Sequence, residues 1–299
     1  MDSPSLDPQR TLIRIYLFIC RRYRGRLWAI AQRQSNNATP PFTDQEVLTI
    51  YLFGIIKKRR TIRDIYDYTR EHFSDWFPEL PSYGGFIQRL NRLSAVFAPL
   101  VGEALAVVEP KSTQAVRIAD SMPIMLASER RSSQAKVASR IADKGYCSSK
   151  NTFFYGVKLH VVGERRTGTM PLPKRVGLTS GSTGDLTALR CVLPRLAGGQ
   201  LYGDKAYCDG PMKERLAEEQ HLELLTPVKK KKGQKHLSAA DKLFSEAVSR
   251  VRQPIESLFN WIDEKTGIQC ASKVRSYRGL LVHTFGRLAA AMLLLAFNS

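Results

Sequence analysis

The sequence predicts an α/β domain built on a mixed sheet, preceded by an all-helical N-terminal region. Three observations predict it. Residues 1–110 carry helix caps and apolar residues at helical spacing. From about residue 114, segments rich in β-branched and aromatic residues alternate with helical ones. Hydrophobic residues make up 43% and charged residues 24% of the 299, the balance of an ordinary globular protein, which excludes a fibrous or disordered chain. At roughly 150 residues per domain the length suggests two domains, and the change of texture divides them into 1–112 and 113–299.

In the helical region, Thr43-Asp44-Gln45-Glu46 is a capping box ahead of the apolar stretch 47–56. Lys57-Lys58-Arg59-Arg60 follow, cations where a helix C-terminus favours them. Thr61-Ile62-Arg63-Asp64 starts a second helix, Pro78 and Pro81 break the pattern, and Ser82-Tyr83-Gly84-Gly85 reads as a turn. In a third helix Phe86, Leu90, Leu93 and Phe97 form one apolar stripe, and Gln88, Arg89, Asn91 and Arg92 lie on the other face. This resembles a helix-turn-helix in which Arg89 and Arg92 meet DNA; a helical bundle with a basic surface has the same signature.

In the second region, strands are expected at 115–119, ending at Asp120, and at 153–162, with a third at 173–178. A helix at 185–196, a strand at 200–203 ending at Asp204, a helix at 211–220 and a strand at 222–228 follow. The run 229–232, with Lys229 and Lys230, is a charged loop. Residues 241–264 and 277–297 read as helices. Within the last, the apolar run 288–297 is too short to span a bilayer, so no membrane is expected.

Charge narrows the function. Lys plus Arg is 46 and Asp plus Glu is 27, a net +19 with a pI near 9.9. Nucleic acid is the natural partner, ahead of an anionic membrane surface or a merely solubilising charge. Cys20, Cys147, Cys191, Cys208 and Cys270 are dispersed, with no C-x-x-C pair, which argues against a disulfide framework and a structural zinc site. The acidic start Met1-Asp2-Ser3-Pro4 is unlike a signal peptide, and a cytoplasmic location is expected.

Asp120 and Asp204 both end strands, at the rim where α/β sheets form sites. Glu256 follows in Arg252-Gln253-Pro254-Ile255-Glu256. Phosphodiester cleavage needs charge neutralised on the attacking and leaving oxygens, which two divalent ions about 3.5–4 Å apart achieve. Carboxylates suit such hard cations. Taken singly, Glu256 is more readily a helix-surface partner of Arg252, while Arg252, one turn before it, is itself expected to grip a DNA phosphate. Asp143-Lys144-Gly145-Tyr146-Cys147 echoes Asp204-Lys205-Ala206-Tyr207-Cys208, but no strand precedes Asp143, so Asp120 is preferred. Lys158 and His160 share one strand face, either for phosphate contact or as a solvated edge face. Lys205 either touches DNA or is merely exposed, and Lys229 and Lys230 add counterion release. Trp261 is assigned to core packing, and Pro254 either restarts a helix or kinks one.

The segments Ile118-Ala119-Asp120-Ser121-Met122-Pro123-Ile124, Phe154-Tyr155-Gly156-Val157-Lys158-Leu159-His160, Leu201-Tyr202-Gly203-Asp204-Lys205-Ala206-Tyr207 and Arg252-Gln253-Pro254-Ile255-Glu256 resemble the DDE transposases of bacterial insertion sequences, the IS-nine-eight-two family in particular. The resemblance covers essentially the whole chain. It implies an RNase H-like fold, with Asp120, Asp204 and Glu256 as catalytic ligands of two Mg²⁺ or Mn²⁺ ions. It also implies DNA cleavage at element ends followed by 3′-OH attack on target DNA. The partners would be double-stranded DNA and further copies of the chain, at the nucleoid. Around the glutamate, related enzymes often carry Tyr and Lys where this chain has Ser249 and Asp263; Lys265 lies near the latter. The competing functions are a metal-dependent nuclease that cannot join strands and a non-catalytic DNA-binding regulator.

Overall fold

A computed structural model describes residues 7–32, 40–108, 116–147, 151–191, 196 and 198–298. The expected strand position Ala115, the N-terminal residues Met1 to Pro4, the 112/113 boundary and most of the expected helix end at 192–196 lie outside them. The chain forms two compact units, Met1–Val108 with Ile262–Ser299, and Glu109–Trp261.

The first unit is helical in its described elements. They begin with α1 (Pro8–Arg22), α2 (Trp28–Ala31), α3 (Asp44–Ile56), α4 (Ile62–His72), α5 (Tyr83–Arg92) and α6 (Phe97–Leu105). The Thr43–Glu46 capping box forms in full, and Thr61 caps α4. The apolar stripe Phe86, Leu90, Leu93 and Phe97 is completely buried. Ser82-Tyr83-Gly84-Gly85 is not a turn, however. Ser82 is the N-cap of α5, its hydroxyl accepting from the Gly85 amide, so both glycines are already helical.

The second unit holds one six-stranded sheet: β1 (Val116–Ser128), β2 (Asp143–Cys147), β3 (Thr152–Glu164), β4 (Leu172–Ser180), β5 (Gly199–Tyr202) and β6 (Leu222–Leu225). β3 lies inside it, antiparallel to β1 on one side and to β2 and β4 on the other. β1, β5 and β6 run parallel. The helices are α7 (Asp185–Cys191), α8 (Gly210–Gln220), α9 (Ala239–Arg252) and α10 (Pro254–Thr266), the last passing the unit boundary. Beneath the sheet, Ala119, Val162, Leu201, Leu222 and Leu224 bury against Leu189, Met212 and Leu216 of α7 and α8. The architecture is therefore mixed α/β with flanking helices. β1 does not stop at Asp120 as the sequence suggests; its antiparallel ladder with β3 continues to Ser128. Only the parallel half of its pairing ends early, at Ile118 opposite Tyr202.

The chain closes with α11 (Tyr277–Leu281) and α12 (Arg287–Asn298), joined by a widened turn. Residues 262–299 pack with the helical unit. The reason is hydrophobic: Leu288 to Leu293 are fully buried, and α12 packs on α3 and α6. Tyr277–Phe297 is long and apolar enough to cross a membrane by length and composition alone, but 67% of it is buried within the protein. Two of its buried polar residues, His283 and Arg287, are tied into the core. Arg287 donates to the carbonyls of Thr266 and Arg60 and to His283 Nδ1, capping the end of α10 from within the core.

Candidate active site

The site gathers where the parallel strands end. Ile118 and Tyr202 are the last residues of β1 and β5 paired with each other, and an aspartate stands two positions beyond each. Asp120 is held at the rim by β1's continuing ladder with β3, opposite Val161. Asp204 begins the turn after β5, its Oδ1 accepting from the Ala206 amide at 2.7 Å. Pro254 settles into the first position of α10, where its missing N–H costs nothing, so the helix restarts there. That restart places Arg252, the last residue of α9, one turn before Glu256.

Arg252 forks between two of these acids. Its Nη1 donates to Asp120 Oδ2 at 2.5 Å and its Nη2 to Glu256 Oε1 at 2.7 Å. A planar guanidinium has the reach and donor count for both. The phosphate grip expected of Arg252 is thus not the contact it makes here. Asp120 and Arg252 are each 18% exposed, whereas Glu256 is 53% exposed. Asp204 belongs to the group electrostatically, since its charge raises the pKa of Asp120.

Burial pushes the Asp120 carboxyl up to about 6; the charges of Asp204 and Asp185 add to this, while Arg252 and the Ser121 amide oppose it. The folded protein therefore binds this proton more tightly than the unfolded chain does. The stability that results is complete below about pH 3.8 and is lost as pH rises through about 6. Asp120→Asn removes the titration. In EDTA, its melting temperature relative to wild type should rise by about 3–6 °C between about pH 4 and about pH 7, read by calorimetry. A constant difference across that window would refute the assignment.

Asp185, at the first turn of α7, is the acid that sequence reasoning missed. Its Oδ1 accepts from Ser121 Oγ at 2.9 Å and from Lys158 Nζ at 3.3 Å, and lies 4.0 Å from His160 Nδ1. The only signal in the sequence is an acid in a helix first turn, which is ordinary. Tyr207 was also missed. It is 1% exposed, and burial together with the charges of Asp185, Asp120 and Asp204 raises its hydroxyl pKa well above normal.

Several expected DNA contacts face inward instead. His160 is 1% exposed, its Nε2 lies 2.7 Å from Thr179 Oγ1, and burial lowers its pKa to about 4. Lys158 is spent on Asp185 and the Thr183 carbonyl. Both follow from β3 being an interior strand, not an edge. Arg89 and Arg92 pair with Asp44, which is 6% exposed, and Arg92 also donates to the Ala31 carbonyl. A buried carboxylate needs such partners, which is why that helix face turns inward. Lys205, Lys229 and Lys230 are exposed. Asp143 opens β2 opposite Gly156, five positions along β3 from the partner of Asp120, and bonds to Ser182. Trp261 is partly buried, Asp263 accepts from the Gln269 amide, and Lys265 pairs with Glu264.

The donor set suits a hard divalent cation. It consists of carboxylate oxygens, and burial above all, with the charges of Asp204 and Asp185 adding to it, disfavours the ionised form of Asp120, which a cation would favour. Among the described residues no three side chains stand at metal-ligand geometry; Arg252 stands between Asp120 and Glu256 instead. Fold and site together define an α/β protein with an acidic center at the ends of parallel strands. The transposase DDE domain family matches residues 111–276, more than half of the chain, and the protein belongs to that family. Comparison with curated proteins and with solved structures gives no match. The family is one of transposition enzymes that act on DNA and generally use divalent metals.

Proposed function

We propose that this protein is an insertion-sequence transposase that cuts DNA at the element ends and joins the freed 3′-OH to target DNA. The observation that carries the reading is the convergence of Asp120, at the end of the β1–β5 parallel pairing, with Glu256 through Arg252, beside Asp204. The sheet supports an RNase H-like fold: β4, β3, β1, β5 and β6 lie side by side, with β3 antiparallel to β1 and β1, β5 and β6 parallel. Asp120, Asp204 and Glu256 would hold two Mg²⁺ or Mn²⁺ ions, which supply charge neutralisation at the attacking and leaving oxygens. The chain's own part is placement. β1 and β3 fix Asp120, the turn after β5 fixes Asp204, and the α9–α10 junction sets Arg252 beside Glu256. Arg252 balances the two carboxylates, and Lys158 balances Asp185. The reaction handles two element ends, so an oligomer on DNA at the nucleoid is part of the proposal, as is membership of the IS-nine-eight-two family.

Incubation with supercoiled plasmid and Mg²⁺ or Mn²⁺ tests the enzyme reading. Metal-dependent nicking is expected, and its absence would leave a DNA-binding protein. A pre-cleaved end carrying a free 3′-OH should be joined to the plasmid; nicking without joining would reduce the activity to that of a nuclease.

A further inference from the structure

We infer that the arm formed by the short 3-10 turn Glu129–Ser133, the loop after it, β2 and the facing end of β3 is a binding surface for single-stranded DNA. The inference rests on the reading of this protein as a DNA-processing enzyme and adds to it the face and the strand state. Two observations carry it.

The first is charge. Residues 129–147 hold Arg130, Arg131, Lys136, Arg140 and Lys144 against Glu129 and Asp143. All five cations are exposed, and none takes part in an ion pair among the described residues. This contrasts with Lys158, Arg89, Arg92 and Arg252, which are all spent on internal carboxylates. Cations without internal partners retain their full capacity to release counterions from a phosphate backbone.

The second is aromatic surface. Tyr146 and Phe153 face each other across β2 and β3, with ring centroids 5.1 Å apart. They are 47% and 53% exposed, and the Lys144 ammonium lies 4.8 Å from the Phe153 ring centroid. An open aromatic pair flanked by backbone-binding cations is what an unpaired base stacks on, and such stacking tolerates any sequence. A duplex hides its base faces, so it can use the cations but not the rings. The arm shares its sheet with the acidic centre. Ser128 opposite Phe154 is eight positions beyond Asp120 on β1, about 26 Å at the rise of a strand.

A cross-strand aromatic pair also stabilises a hairpin, and leucine separates the two roles by keeping an apolar pair while removing the ring faces. In the full-length chain in EDTA, fluorescence anisotropy would follow an oligothymidine of about 20 nucleotides and a blunt duplex of equal length. Tyr146→Leu/Phe153→Leu should weaken oligothymidine binding about ten-fold and duplex binding by less than about three-fold. Arg130→Ala/Arg131→Ala should shrink the salt slope for oligothymidine by about 1.4. Unchanged oligothymidine affinity in the leucine variant overturns the inference. So does a change in its oligomeric mass at constant affinity, which would make the face a protein interface. Should the double variant fail to fold, Phe153→Leu alone carries the test. Plasmid nicking, measured in parallel on wild type, keeps the two readings apart. Nicking with unchanged leucine-variant binding retires the arm alone, and arm-dependent binding without nicking retires the enzyme alone.

Discussion

Alanine at Asp120, Asp204 or Glu256 should reduce metal-dependent DNA cleavage and joining by at least about 10³-fold, a loss of roughly 4 kcal/mol of transition-state stabilisation. Duplex affinity in EDTA should stay within about three-fold of wild type, because these carboxylates serve cations and would, if anything, repel phosphate. Nicking and strand-transfer assays with gel-shift controls measure both. Full activity in any one variant removes that residue from the site. An active Asp120→Ala would redirect attention to Asp143, although Asp143 lies beyond β3 and bonds to Ser182. Its carboxyl is held below the usual range by the Lys144 amide and the Ser182 hydroxyl.

Arg252→Gln should have the next largest effect, and one that depends on pH. The Ser121 amide and Arg252 hold the pKa of Asp120 down, and Arg252 is the larger of the two. Without it the ionised carboxylate is left partly buried with less compensation. Metal-free stability should fall by about 2–3 kcal/mol near pH 8 and by much less near pH 5, where Asp120 carries a proton and needs no cation. Urea denaturation in EDTA at the two pH values gives the comparison. Salt titration of DNA binding by Arg252→Gln, which removes the charge, decides between carboxylate and phosphate as its working partner. An unchanged slope assigns the guanidinium to Asp120 and Glu256. A slope smaller by about one ion shows that it transfers to phosphate when DNA arrives.

Local chemistry was legible in the residues. The Thr43 capping box and the buried stripe from Phe86 to Phe97 each rest on partners within a few positions, whereas the residues left Pro254 open between restarting a helix and kinking one. Asp120 and Asp204 were readable for the same reason: each follows a short β-pattern, and the ends of parallel strands are where such sheets place acids. Net charge pointed to DNA without saying which cations were available for it.

The residues alone thus carried the mixed α/β class and the two aspartates that follow the parallel pairing, and their charge pointed toward DNA. Which charges meet was settled only by packing. Arg252 reaches Asp120 across 132 positions, Ser121 reaches Asp185 across 64, and Arg89 and Arg92 reach Asp44 across 45 and 48. It also carried β1 past Asp120, placed β3 inside the sheet and drew residues 262–299 into the helical unit. Periodicity reports which face of an element is apolar, but a cation's partner is chosen by burial and by the separation left once the elements have packed. Those quantities exist only in the folded chain.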